Sequence, residues 1–190
     1  KSIEMEEIDM YLDEAGELMD KSVLHCKQEL SKIRAGKAMP NMLDGLMVEY
    51  YGTMTPVGQV ATVSTPDART LSIKPFEKSI ITAIEKAIIN SDLGLNPQND
   101  GEQIRLNIPP LTEERRLNLV KQVKAEAENG KVSIRNVRKE TNDSLKALIK
   151  DGASEDAIKD AEAVVQKLTN SHVAGIDELV VIKEKDIMTI

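Results

Sequence analysis

The chain has 190 residues, 41% of them apolar, and a formal net charge of −7, which suits one or two folded domains with a real core. No apolar run approaches the roughly 18 residues that a membrane span needs, and a lone cysteine, Cys26, excludes an internal disulfide framework. With no Trp, one Phe and three Tyr, the core must be aliphatic and methionine-rich, and aromatic platforms for stacking bases are all but excluded.

The opening stretch KSIEMEEIDMYLDEA has neither the apolar region of a signal peptide nor the Arg-rich character of a transit peptide, so a cytoplasmic location is expected. Its start at Lys1 rather than Met suggests an incomplete or processed N-terminus. Ile8, Leu12, Ala15, Met19, Ser22, Cys26, Leu30 and Ile33 recur at steps of three and four, which predicts one long helix to about Arg34.

From residue 37 to 110 the texture changes. LMVEYYGTMTPV, QVATVSTPDARTLSIKPF and EQIRLNIPP read as short strands punctuated by Gly52, Pro56, Pro66-Asp67 and Pro75. Lys78 to Ser91 reads as a short amphipathic helix carrying Ile80, Ile84, Ala87 and Ile88, and DLGLNPQNDG as a loop to the last strand. Tyr50-Tyr51-Gly52 suggests a strand running into a turn.

Pro109 and Pro110 stop that region. Thr112 can cap a second long helix whose first turn holds Glu113 and Glu114, and Val123, Ala127, Ile134, Val137, Thr141, Leu145 and Leu148 form its inner stripe. Asn129-Gly130 is a turn signal, yet the helical period continues in register across it, so Gly130 reads as a tolerated cost of about 1 kcal/mol against Ala. Gly152 ends this helix and Ser154 caps a third, which carries Ile158, Ala161, Val165, Leu168, His172, Ile176 and Leu179. The architecture expected is α+β: an elongated three-helix bundle formed by residues 1–36 and 111–190, with a small β/α/β domain of residues 37–110 inserted into it. The chain crosses between the two only at RAGKAMP and at the Pro pair, which makes these crossings a candidate hinge.

Charge is distributed unevenly. Residues 1–20 carry net −7 and residues 151–190 net −5, whereas residues 115–150 carry net +6. On the second helix Lys121, Lys124, Lys131, Arg135, Arg138, Lys139, Lys146 and Lys150 fall on one face beside the apolar stripe. Solvated helix faces are often Lys-rich. This stripe, however, runs the length of a helix and includes two arginines beside Asn136 and Asn142, a combination suited to phosphate oxygens. Without aromatic residues interleaved, the target expected is the backbone of structured RNA rather than splayed bases.

The remaining candidates read as structural. His25 and Cys26 point about 100° apart on a helix, and no acid at fitting spacing completes a nucleophile or metal site. His172 lies on an apolar stripe and reads as a bundle residue. Gly94 and Gly101 belong to no phosphate-cradling motif, so no nucleotide site and no cofactor are expected.

Four separated motifs, SKIRAGKAMPNMLDGLMVEYYGT, SDLGLNP, PPLTEERR and VSIRNVRKETND, occur in an order and spacing that resemble the bacterial ribosome recycling factor family, over residues 5 to about 182. The resemblance implies a three-helix bundle and a smaller β/α/β domain arranged as an L with roughly the dimensions of tRNA. The activity it implies is not enzymatic: a monomer lays its bundle on large-subunit rRNA and, with elongation factor G and GTP, splits post-termination ribosomes. GTP is hydrolysed by the partner. Carried over by position, the resemblance gives rRNA contacts to Arg34, Lys37, Arg135, Asn136 and Arg138, with Lys131 and Lys139 on the same basic face. It gives the hinge to Gly36, Pro109 and Pro110. Lys37 stands where family members commonly have Arg, which keeps the charge but loses the bidentate fork. Two other readings remain at this stage: a ribosome assembly or dormancy factor that needs no elongation factor G, and an RNA-processing enzyme, for which no acid pair or His cluster near the stripe speaks.

Overall fold

In a computed structural model, residues 2–33 and 36–189 are described. In chain order the elements are α1 (Ile3–Ser31), β1 (Met47–Tyr50), β2 (Thr53–Pro56), α2 (Val57–Val60), β3 (Ala61–Asp67), β4 (Thr70–Pro75), α3 (Ile81–Ile89), β5 (Pro97–Asn99), β6 (Ile104–Asn107), α4 (Glu113–Lys150) and α5 (Glu155–Met188). They cluster into two compact units, residues 1–35 with 113–189, and residues 36–112.

The first unit is a three-helix bundle. Ser2 caps α1 by accepting from the Met5 amide, and Glu4 and Glu6 lie at the positive end of the helix dipole. The last described turn tightens as Lys32 and Ile33 donate to the Glu29 and Leu30 carbonyls, so α1 closes three residues before the expected Arg34, which lies outside the described residues. Helix α4 spans 38 residues, about 57 Å at 1.5 Å per residue. At its end Gly152, with φ +99°, takes the left-handed conformation, and Ser154 caps α5 by accepting from the Ala157 amide.

Cross-links fix the directions of the helices. Ser22 Oγ meets Ser133 Oγ at 2.8 Å, and Cys26 Sγ donates to the Glu126 carbonyl at 3.7 Å, so α1 and α4 run antiparallel. The Ser154 amide donates to Glu4 Oε1 at 2.8 Å, and His172 Nε2 stands 2.6 Å from Asp20 Oδ1, so α1 and α5 run parallel. The other ring nitrogen of His172 lies 2.6 Å from the Leu168 carbonyl, which makes this histidine a tie between helices. The expected stripes face inward. Met19, Val123, Ile134, Leu145, Val165 and Ile176 are fully or almost fully buried, each stabilising the fold by roughly 1.5–3 kcal/mol. Leu12, Val137, Leu168 and Leu179 are half-buried at the stripe edges, and Leu119, Thr169 and Ile187 join the core.

Gly130 corrects the sequence reading. It is not a cost tolerated by an otherwise indifferent helix: a Cβ there would come 2.8 Å from Ile176 Cδ1 and 3.2 Å from Cys26 Cβ and Sγ. All three helices close on this point, and glycine is what lets them do so.

The second unit holds an antiparallel sheet in the order β3-β4-β6-β5 and a separate β1-β2 hairpin. Central β4 buries Leu71, Ser72 and Ile73, while α3 turns Ile81, Ile84 and Ile88 into the same core. Two segments depart from expectation. Val57–Val60 makes a helical turn between strands, and DLGLNPQNDG is not all loop, since β5 forms within it and pairs with β6 through Gln98↔Arg105. Pro97 is tolerated because β5 is an edge strand. At the hairpin tip Tyr51 (φ +48°) and Gly52 (φ +79°) both adopt positive φ, as a two-residue turn of this hand requires. Tyr50 and Tyr51 donate to the two oxygens of Glu77 at 2.8 and 2.9 Å, and these bonds push both phenols above their ordinary range.

Candidate nucleic-acid interface

The apolar stripe of α4 fixes where its cations emerge. With Val123, Ala127, Ile134, Thr141, Leu145 and Leu148 turned inward, the basic face comes out on the flank bordering α5. Lys131 and Arg138 lie nearest that seam and are half-buried, whereas Arg135, Asn136 and Lys139 are exposed.

The structure gathers Arg135, Asn136, Arg138 and Lys139 around one shallow cleft, together with Asn142, Asp143 and Lys146 from α4 and Gln166 from α5. Four of the expected contacts thus share a single surface, with two guanidinium and two ammonium groups available to a phosphate. Asn142 Oδ1 is buried without a hydrogen-bond partner, an acceptor held at the floor of a cationic cleft.

The cations are not equivalent. Lys131 Nζ lies 2.5 Å from Asp177 Oδ1 on α5, and its side chain is 22% exposed, so its charge is largely met within the protein. Arg135 Nη1 lies 3.0 Å from Glu128 Oε1, but both side chains are well exposed and that pair is weak. Arg138 Nη1 donates to a neutral acceptor, Gln166 Oε1, at a long 3.4 Å, and the Gln166 amide is itself oriented by donating to Asn170 Oδ1 at 2.8 Å. Arg138 therefore keeps its charge while being held in place.

The other expected site residues lie elsewhere. Lys37 is half-buried in the α/β unit, and Arg34 falls outside the described residues. Gly36 has φ +73°, and a Cβ there would come 2.6 Å from Leu111 Cγ, so this position accepts only glycine. Pro109 and Pro110 are exposed and follow Ile108, whose amide donates to the Arg69 carbonyl at 2.7 Å.

Sequence reasoning missed the contribution of α5. Gln166, Asn170 and Asp177 recur at steps of four and seven beside the apolar stripe, a legible polar face, but which cation each would meet is not a local property. On the opposite flank Cys26 is buried, and burial together with the nearby Glu126 carboxylate pushes its thiol above the ordinary 9.0. Among the described residues no group of three His, Cys, Asp or Glu could hold a metal ion, and no helix is long and apolar enough to cross a membrane.

The family model described as Ribosome recycling factor matches residues 26–188. The ribosome-recycling factor of Cytophaga hutchinsonii is 61% identical over 186 residues, covering 98% of this chain and all of that protein. That of Amoebophilus asiaticus is 58% identical with the same coverage. A solution structure of the ribosome recycling factor superposes with a TM-score of 0.73 at 38% identity, covering 97% of this chain and 98% of the other. The T. thermophilus factor, in a structure with E. coli elongation factor G bound to the E. coli post-termination complex, gives 0.61 at 46% identity, with 95% and 98% covered.

Proposed function

The chain belongs to the ribosome recycling factor family, a family of non-enzymatic translation factors, and on that premise we propose that it splits post-termination ribosomes together with elongation factor G and GTP. The bundle binds large-subunit rRNA through the basic flank of α4, with Arg138 as the central contact and Arg135, Asn136, Lys139 and Lys131 around it. Arg34 and Lys37 extend the same binding by position in the sequence. The observation that carries this reading is the cleft in which α4 collects two arginines, two lysines and two asparagines in a protein of net charge −7. An acidic protein with one concentrated basic surface meets a polyanion in one orientation, because the rest of its surface is repelled.

No catalytic group is required of this chain. The protein acts as a cytoplasmic monomer, GTP is hydrolysed by elongation factor G, and the crossings at Gly36 and at Pro109-Pro110 let the α/β domain follow the partner's motion while the bundle stays on rRNA. The glycine-only geometry of Gly36 supports a special backbone requirement at one crossing.

The test is light scattering of post-termination ribosomes on adding this protein, elongation factor G and GTP together, then with each omitted. A fall in scattering that needs all three is expected. Ribosome binding with no splitting under the full mixture would overturn the proposal and point to an assembly or dormancy factor instead.

A further inference from the structure

Asp177 and Gln166 both reach the basic flank of α4 from α5, and they differ in charge. Asp177 meets Lys131 with a carboxylate, whereas Gln166 meets Arg138 with a neutral amide. A carboxylate at 2.5 Å already occupies a cation that a phosphate would want. An amide oxygen at 3.4 Å restrains the guanidinium through a long, weak bond and leaves its charge for a ligand. The amide is not free to turn: Gln166 Nε2 donates to Asn170 Oδ1 at 2.8 Å, four residues on along α5, which directs Oε1 toward Arg138.

Building on the proposed rRNA interface, we infer that Gln166 is a positioning residue of that interface: held by Asn170, it preorders the Arg138 guanidinium across the α4–α5 seam without neutralising it. An arginine on an exposed helix face otherwise loses rotamer freedom when it binds, and that cost weakens the contact. A carboxylate in the same place would order the side chain equally well but would compete with the phosphate. The cleft is thus made by two helices, and the α5 contribution is orientation rather than charge.

Two nearly isosteric replacements separate these roles. Gln166→Met removes the acceptor and adds no charge, and Gln166→Glu keeps an acceptor but makes it anionic. Each is measured alone and combined with Arg138→Ala, by co-sedimentation with large ribosomal subunits over a salt series, with circular dichroism as the folding control. Gln166→Met is expected to weaken binding about threefold with an unchanged slope of log K against log salt, since the charge count is kept. Gln166→Glu is expected to weaken binding about 5- to 20-fold and to make the slope shallower by about 0.7–0.9, as Arg138→Ala does. In the Arg138→Ala background both replacements should change binding less than about twofold, the sign that they act through Arg138. Equal losses with and without Arg138, or wild-type binding by Gln166→Met, would overturn the inference. The outcomes also separate it from its premise: if Arg138→Ala binds like wild type, the rRNA interface itself fails and the inference fails with it. If Arg138→Ala weakens binding but shows no coupling to residue 166, only the role of Gln166 is lost.

Discussion

Toward α1, helix α4 presents Gly130, Ser133 and the Glu126 carbonyl, and the seam closes to 2.8 Å between Ser22 and Ser133. Toward α5 it presents Lys131 and Arg138, met by Asp177 and Gln166. The inner flank around residue 130 is held by shape, a Cβ there coming 2.8 Å from Ile176 Cδ1 of α5 and 3.2 Å from Cys26 of α1; the outer edge of the α5 seam carries polar contacts that a ligand could exchange. The difference teaches that one helix can be a structural wall on one side and a proposed interface on the other. Close packing is intolerant of added volume, whereas polar pairs at a half-exposed seam tolerate rearrangement at small cost.

The sharpest way to break this comparison is to overfill the shape-held flank. Gly130→Val should lower unfolding free energy by about 3 kcal/mol, since the added atoms press on Ile176 and Cys26 and the usual gain of replacing glycine in a helix cannot offset that. Gly130→Ala should be milder, and combining it with Ile176→Val, which removes the nearest atom, should recover part of the loss. Urea denaturation reads both. A stabilising Gly130→Ala would mean that the packing around residue 130 is looser than its geometry indicates.

On the other flank the largest expected effect is on binding rather than folding. Arg138→Ala should weaken ribosome binding by about 1–3 kcal/mol and make the salt slope shallower by about 0.7–0.9, with the circular dichroism spectrum retained. Lys159→Ala, an exposed charge on α5 away from the cleft, is the reference. If the two variants bind alike over a salt series, the basic flank is only a solvated face.

Asp177 sharpens the contrast among the cations. Lys131→Ala should cost less binding than Arg138→Ala, because Asp177 already holds that ammonium. Asp177→Asn should tighten binding by a few-fold and steepen the salt slope by about 0.7–0.9, as one more cation becomes available. A loss of affinity in Asp177→Asn would show that the carboxylate orients Lys131 rather than occupying it.

The smallest effect expected is a pH dependence of the shape-held flank. The native fold raises the Cys26 thiol above 9.0, so the unfolded chain releases that proton first as the pH climbs. The contribution is fully present below pH 9.0 and is lost as pH rises through the native value, so stability should fall across that alkaline window. Cys26→Ala should flatten this limb in urea midpoints measured against pH. An unchanged limb would place its origin elsewhere.

The helices of the bundle were legible because their signal is local. Residues three and four apart share a face whatever the rest of the chain does, so Ile8 to Ile33, Val123 to Leu148 and Ile158 to Leu179 declared both the element and its buried side. The basic flank was legible for the same reason: Arg135 and Arg138 sit at a fixed angle from that stripe. Turns that depend on one residue were legible too, as at Gly152 with Ser154. Strand β5 was not, since three residues of edge strand carry no alternation and owe their state to pairing with β6.

Partnership across helices lay beyond the sequence altogether. Periodicity places Gly130 on the inner face but cannot say that Ile176 and Cys26 arrive there from two other helices, so a close-packing point read as a tolerated defect. Nor can it say that Arg138 meets an amide while Lys131, two turns away, meets a carboxylate. The composition of the basic stripe is a property of one helix and was written in the chain. The availability of each of its charges depends on what α5 sets opposite it, and that is decided only when antiparallel packing brings residues 28 and 46 positions apart within reach of one another.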